Sequence, residues 1–406
     1  MGQFIIHGGK SLGGEISVGG SKNAALPIIF SCIMLHGASV IENLPDISDV
    51  DVALDILRGF GATVVKEGER VVIDTENLEY NTPGEELVSK IRASSYLIGA
   101  TLSRFGVAKI QRFGGCNFDN RPIDMHLMAA EKLGAKIEED TVKATRLTGN
   151  DIYFDKISVG ATVNAILLTA TAMGKSRIFG YAKEPHIISL VNFLNSAGSK
   201  IKITDECIEV YGKELHTSSA DIIPDMIEAG TYLALSLMTD SKIKVVGADR
   251  VELKSFITPL LSAGVSAQYH GNAITLSGPL EKELDIITSP YPGFPTDLQP
   301  QMAPLLAASC GGKITEKVWI NRFGYLAELK KFGVEYDLGD GFAIIKKSKI
   351  HSANATVPDL RGGAALIMAA VFSDGESVIG NAELIKRGYG NIVGKLRSIG
   401  VEIEEF

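Results

Sequence analysis

The chain has no run of Lys and Arg, no C-x-x-C pair, no H-x-x-x-H pattern and no long uncharged apolar stretch. Each absence removes a class of protein. With 40 Lys and Arg against 48 Asp and Glu, the net charge is −8, and no basic tract is present to release counterions from phosphates. General nucleic-acid binding is therefore not expected. Four scattered cysteines, Cys32, Cys116, Cys207 and Cys310, supply neither a disulfide framework nor a zinc site. Uncharged runs such as Ala364 to Phe372 fall well short of the roughly 20 residues a spanning helix needs, so no membrane span is expected. Residues Met1 to Ile6 show no charged segment ahead of an apolar one, so no secretory signal is visible and a cytoplasmic location is predicted.

The common phosphate-binding devices are missing too. Gly9-Lys10-Ser11 and Gly174-Lys175-Ser176 end like a P-loop, but Phe4 and Thr169 stand where its first Gly belongs. No G-x-G-x-x-G joins a strand to a helix in the dinucleotide-binding manner. Composition is otherwise ordinary for a soluble protein, at 45% hydrophobic and 22% charged, and 406 residues suggest two or three domains.

What is present is a repeat. Six times a short amphipathic helix ends in Gly and runs into a strand, with terminal glycines Gly61, Gly134, Gly198, Gly264, Gly333 and Gly400. Their separations of 73, 64, 66, 69 and 67 are too long for most solenoid units and short for an independent domain. The pattern predicts six copies of one α/β unit. A second, more apolar helix lies upstream in each copy, over residues 23–35, 88–104, 161–173, 226–238, 298–310 and 361–372. These segments carry little charge beyond their first turns and are expected to form the core. Cys32 and Cys310 fall inside them and read as packing residues.

Charges gather at the predicted helix starts. The apolar helices open near Lys22, Lys90 with Arg92, Lys156 with Ser158, Asp225 with Glu228, Asp297, and Asp359 with Arg361. The shorter ones open near Asp46, Arg121, Glu184, Arg250, Arg322 and Arg387. Helix N-termini offer unpaired N–H groups and a positive dipole end, so clustered starts with basic side chains would bind an anion. Capping or solvation accounts for any one of these charges; it does not account for their recurrence. The segment Phe113 to Pro122 adds a glycine-flanked thiol, Cys116, five residues before Arg121-Pro122. A nearby cation would favour the thiolate there.

Seven motifs, in order, resemble the UDP-N-acetylglucosamine 1-carboxyvinyltransferase family of enolpyruvyl transferases. They are Gly19 to Pro27, the Cys116 to Pro122 loop, Ser158 to Thr162, Phe294 to Asp297, Asn321-Arg322-Phe323, Asp359-Leu360-Arg361 and Arg387-Gly388-Tyr389. The resemblance runs the length of the chain. It implies a two-lobed inside-out α/β barrel of six repeated units, one lobe being 22–223 and the other 1–21 plus 224–406, with substrates in the cleft between them. The activity implied is transfer of the enolpyruvyl group of phosphoenolpyruvate to the 3-hydroxyl of UDP-N-acetylglucosamine with release of phosphate, the start of peptidoglycan precursor synthesis. It implies no cofactor or metal, and nothing in the sequence points to a protein partner.

Site residues carry over by resemblance. Cys116 would give a proton to the methylene carbon of phosphoenolpyruvate and would be the thiol that fosfomycin alkylates. Lys22, Arg121 and Arg387 would hold that substrate's phosphate, Arg361 would help with its carboxylate, Asn23 would also bind it, and Asp297 would be the base for the sugar hydroxyl. Arg121, Pro122, Ile123 and Asp124 would frame uracil. Lys156, Ser158, Val159 and Gly160 would take the diphosphate, and Asn23, Arg92, Asp297 and Val318 the rest of the nucleotide sugar. Without the resemblance, Asp297 reads as a helix cap and Val318 as a strand residue. Asp119, Met226, Ile320, Tyr325, Lys386 and Gly390 depart from the family's usual residues. They keep two alternatives open: a paralogous transferase acting on another uridine nucleotide, and a catalytically silent regulator that binds the nucleotide sugar. The sister family acting on shikimate 3-phosphate lacks the cysteine loop and the uracil-framing segment.

Overall fold

Every one of the six repeat glycines, Gly61, Gly134, Gly198, Gly264, Gly333 and Gly400, has φ between 87° and 108°. Only Gly enters that left-handed region without strain, which is why the residue recurs where each short helix turns into a strand. The computed structural model describes residues 2–114 and 122–406. Among them, contacts fall into two units, residues 20–114 with 122–223 and residues 2–19 with 224–406.

The earlier unit holds helices α1 (Lys22–Ser31), α2 (Ser48–Gly59), α3 (Glu85–Val88), α4 (Leu97–Phe105), α5 (Asp124–Lys132), α6 (Val159–Thr171) and α7 (Pro185–Ser196). The later unit holds α8 (Met226–Met238), α9 (Lys254–Ser262), α10 (Gln299–Ala308), α11 (Leu326–Leu329), α12 (Leu360–Phe372) and α13 (Ile392–Ser398). Ala- and Leu-rich sequence makes α6, α8 and α12 buried along nearly their whole length. Within the earlier unit α4 packs against both α1 and α6, and within the later unit α10 packs against both α8 and α12. Helices therefore lie inside and sheets outside.

Six sheets are present among the described residues, three to a unit. Five share one plan, in which a parallel pair is extended by two antiparallel strands. In one of them Leu284–Ile287 runs parallel to Gly312–Thr315, which pairs antiparallel with Phe342–Ile345 and then Tyr336–Gly339. The sixth, Val107–Lys109 with Thr141–Lys143 and Lys136–Glu138, is antiparallel throughout. Strands alternate in burial, as Phe4 and Ile6 of Gln3–Gly8 do by turning inward onto the helices.

The chain's first strands pair with its last. Gln3–Gly8 lies between Gly375–Gly380 and Glu402–Glu405, and Gly13–Ser17 runs beside Lys242–Val246. In the later unit the N–H of Asp225 donates to the Gly19 carbonyl at 2.9 Å, and Glu228 Oε2 accepts from the Gly19 N–H at 2.8 Å. In the earlier unit the N–H of Ser21 donates to the Ile223 carbonyl at 2.7 Å.

Several helix boundaries differ from the sequence reading. The helix expected over 88–104 is split into α3, a 3-10 turn over Arg92–Tyr96, and α4. The Ser94 hydroxyl donates to the carbonyls of Val88 and Ile91, local bonds that compete with a continuous helix. Arg250 and Arg322 lie in turns ahead of α9 and α11, and Arg387 ends a 3-10 helix over Ala382–Arg387 rather than opening α13. Cys310 lies just beyond α10 and is half-buried, whereas Cys32 is fully buried. Among the described residues no helix is long and apolar enough to cross a membrane, and no group of His, Cys, Asp and Glu could hold a metal ion.

Candidate active site

In the earlier unit, several expected site residues sit at neighbouring helix starts. Lys22 is the first residue of α1, followed by Asn23; its Nζ lies 2.6 Å from Oδ2 of Asp49, whose side chain is 4% exposed. Asp49 belongs to the first turn of α2, so α2 holds the Lys22 ammonium in place. Arg92 is half-buried in the 3-10 turn on which α1 and α6 both pack. Alongside α6 runs α5, whose start carries exposed Pro122, half-buried Ile123 and exposed Asp124. The start of α6 is capped by Ser158, whose Oγ accepts from the Ala161 N–H at 3.3 Å, leaving the N–H groups of Val159 and Gly160 free of helix partners by position. Lys156 is exposed two residues earlier.

His126 joins this group and was not singled out from the sequence. It is 3% exposed, and among the described residues neither ring nitrogen has a hydrogen-bond partner. A side chain at Gly160 would place Cβ 2.9 Å from its Nε2, so the imidazole lies directly against the start of α6. Burial pushes the His126 pKa down to about 4; Arg92 adds to that and Asp124 opposes it. The ring is therefore neutral at pH 7. The only sequence signal was a His in the first turn of a helix already suspected of binding.

In the later unit the centre is Asp297. Its Oδ1 accepts from Nη1 of Arg322 at 2.7 Å, and its Oδ2 lies 3.3 Å from both Nε and Nη2 of Arg361. Arg322 and Arg361 are 5% and 2% exposed. Asp297 is not the cap of α10, since Leu298 occupies that position with no side-chain cap bond. Asp225 and Asp359, by contrast, do cap α8 and α12, each through Oδ1 accepting two backbone N–H groups. Burial pulls the Arg322 pKa down, but Asp297 and Asp359 more than reverse it, so the group ends above its ordinary value and stays charged. Arg361 Nη1 is buried and finds no acceptor among the described residues. The arrangement is a carboxylate held by two guanidinium groups.

Glu316 organises the neighbouring turn. It is 2% exposed and accepts from the hydroxyls of Thr288 and Thr296 and from the backbone N–H groups of Val318 and Trp319, at 2.6 to 2.9 Å. Val318 thus sits in a turn fixed by a carboxylate, beyond the strand that ends at Thr315. Thr296 also accepts from Arg322 Nη1 at 3.1 Å, which ties this turn to the Asp297 group. The roles of Arg322 and Glu316 depend on long-range hydrogen bonds that no local spacing announces. Arg387 is half-buried. Cys116, Arg121 and Asp119 lie outside the described residues.

Of the departures, Tyr325 is fully buried with its hydroxyl accepting from Gln299 Nε2 at 2.9 Å, whereas Ile320 is 51% exposed. Met226 is half-buried at the first position of α8, Lys386 pairs with Glu383 and Glu405, and Gly390 is half-buried. None of the five displaces Asp297, Arg322 or Arg361.

A fold of outward sheets on inward helices, with buried arginines around one carboxylate, matches a known class. Residues 6–396 match the model of the EPSP synthase (3-phosphoshikimate 1-carboxyvinyltransferase) family, and the chain belongs to that family of enolpyruvyl transferases. Within it, the chain is 41% identical to UDP-N-acetylglucosamine 1-carboxyvinyltransferase 3 of Caldanaerobacter subterraneus subsp. tengcongensis, covering 99% of each. It is 40% identical to UDP-N-acetylglucosamine 1-carboxyvinyltransferase of Halothermothrix orenii over the whole of both chains. Among solved structures, the enolpyruvyl transferase NikO from Streptomyces tendae superposes with a TM-score of 0.88 at 26% identity, covering 100% of this chain and 99% of the other. EPSP synthase from Acinetobacter baumannii shares the fold, with a TM-score of 0.75 at 17% identity over the full length of both.

Proposed function

We propose that this protein transfers the enolpyruvyl group of phosphoenolpyruvate to the 3-hydroxyl of UDP-N-acetylglucosamine, releasing phosphate, as the first committed step of peptidoglycan precursor synthesis in the cytoplasm. The observation that carries the reading is identity of about 40% over essentially the full chain to proteins bearing that activity's name. The buried arginines around Asp297 support it, because both substrates are anions.

Chemically, the Cys116 thiol gives its proton to the methylene carbon of phosphoenolpyruvate, which leaves the adjacent carbon electrophilic. A free thiol near pKa ~8.5 is mostly protonated at neutral pH and can act as that acid. The sugar hydroxyl adds to the electrophilic carbon and passes its proton to Asp297. The bond to phosphate then breaks, the methyl carbon returns a proton to the Cys116 thiolate, and the enol ether forms. Lys22, Arg121 and Arg387 stabilise charge on the departing phosphate, and Arg361 takes the carboxylate through Nη1. The start of α6, with Ser158, Val159 and Gly160, receives the diphosphate. Lys156, Asn23, Arg92, Val318 and the segment 121–124 complete the nucleotide-sugar contacts. The two lobes of this reading are 22–223 and 1–21 plus 224–406.

A phosphate-release assay with phosphoenolpyruvate and a panel of uridine nucleotides tests the reading. Release should require both phosphoenolpyruvate and UDP-N-acetylglucosamine and should vanish in Cys116→Ala. Equal turnover of UMP would replace it with a paralogous transferase, and nucleotide binding without release would replace it with a silent regulator.

A further inference from the structure

Arg361 rests on an aromatic ring that the chemistry above does not use. Its Cζ lies 5.2 Å from the ring centroid of Tyr389, which is 1% exposed. The phenol is itself pinned from two helices. Thr231 of α8 has Oγ1 2.9 Å from the Tyr389 hydroxyl, and Gln301 of α10 donates from Nε2 to both oxygens at 3.1 Å. Thr231 spends its only hydroxyl hydrogen on the Ile227 carbonyl at 2.8 Å, so Tyr389 is the donor to Thr231 and the acceptor from Gln301. The Tyr389 hydroxyl is thus held from both sides, which fixes the orientation of its ring.

The guanidinium plane is thereby limited on two sides. Asp297 Oδ2 takes the edge that carries Nε and Nη2, Tyr389 lies against the group through its ring and a side-chain hydrogen bond, and among the described residues Nη1 has no acceptor. A planar fork fixed at one edge and supported by a ring has little freedom to turn its remaining donor. We propose that Tyr389 is a positioning residue for phosphoenolpyruvate: by supporting Arg361 it aims Nη1 at the substrate carboxylate. This rests on the role of Arg361 in the function proposed above. Tyr389 itself touches no reacting atom.

The test compares Tyr389→Phe, which keeps the ring and loses the hydroxyl anchors, with Tyr389→Leu, which removes the ring, and with Thr231→Val, which removes one anchor at a distance. A desolvated cation–π contact corresponds to roughly tenfold to thirtyfold in affinity, so Tyr389→Leu should raise KM for phosphoenolpyruvate about that much. KM for the nucleotide sugar should stay within about twofold, because a ring under Arg361 has no uniform effect on both substrates. Tyr389→Phe and Thr231→Val should each raise KM for phosphoenolpyruvate roughly twofold to fivefold, in line with the loss of one hydrogen bond. Parallel changes in both KM values, or none in either, would overturn the proposal. Rotation of the Arg361 guanidinium about Cζ–Nε, followed by NMR in arginine-labelled protein and assigned with Arg361→Lys, gives a readout without turnover. It should be slow in the wild type and faster in Tyr389→Leu; equal rates would overturn the positioning role. A wild type that releases no phosphate would sink the function proposed above while leaving this NMR comparison decisive. Should Tyr389→Leu fail to fold, the KM values and guanidinium rotation of the Phe and Val variants decide.

Discussion

Replacing Asp297 by Asn tests the later unit's charge cluster and the proposed base at once. The substitution keeps volume and removes one negative charge from between Arg322 and Arg361, which are 5% and 2% exposed. Breaking a buried ion pair by deleting one partner costs about 3–5 kcal/mol, because the remaining charge is left uncompensated. The Asp297 side chain is itself 30% exposed, so water screens part of that penalty and roughly 2–3 kcal/mol is the reasoned figure. Melting temperature should fall by about 5–10 °C, read by calorimetry. A double-mutant cycle with Arg322→Met should return a coupling of about 1–3 kcal/mol, since the two side chains share a 2.7 Å hydrogen bond. Phosphate release should drop by roughly 10²- to 10⁴-fold, the usual contribution of a positioned base. A melting temperature unchanged from the wild type would refute the buried-pair reasoning. Turnover unchanged from the wild type would refute the base.

His126 should make stability depend on pH. Its folded pKa of about 4 lies below the ordinary 6.5, so the unfolded chain takes up the proton first as pH falls; stability is full above 6.5, declines between 6.5 and 4, and levels off below. The difference in urea midpoints between wild type and His126→Gln across that range should correspond to about 3 kcal/mol, and a flat difference would count against it. Gly160→Ala would push a methyl to within 2.9 Å of the same ring and should cost roughly 1–3 kcal/mol while weakening nucleotide-sugar binding in calorimetric titration. Normal affinity would move the diphosphate away from the start of α6. Fosfomycin should add its mass to Cys116 in peptide mass spectrometry, and an unmodified thiol after saturating exposure would argue against the proposed acid.

Legibility from sequence followed the range of the interactions. The repeat glycines were readable because each answers a local demand, a left-handed φ after a helix. Helices such as α8 and α12 were readable because an Asp cap precedes an apolar run. The split near Ser94 was not, because it turns on a side chain bonding to two carbonyls rather than on periodicity. Asp297 shows the limit most clearly: a cap by position, it is instead the partner of residues 25 and 64 positions further along the chain. The ring nitrogens of His126, without partners among the described residues, and the bonds of Glu316 are likewise properties of packing, and a single chain read in order cannot display them.

The strand Gln3–Gly8 lies between Gly375–Gly380 and Glu402–Glu405, and this has a consequence for biogenesis. Emerging from the ribosome, residues 20–223 can close their own sheets while Gln3–Gly8 still waits for partners translated much later. Until then its edges are unpaired, open to chaperones or to another nascent copy. Loss of Glu402–Glu405 would therefore strip one edge of Gln3–Gly8, nearly 400 residues earlier in the chain.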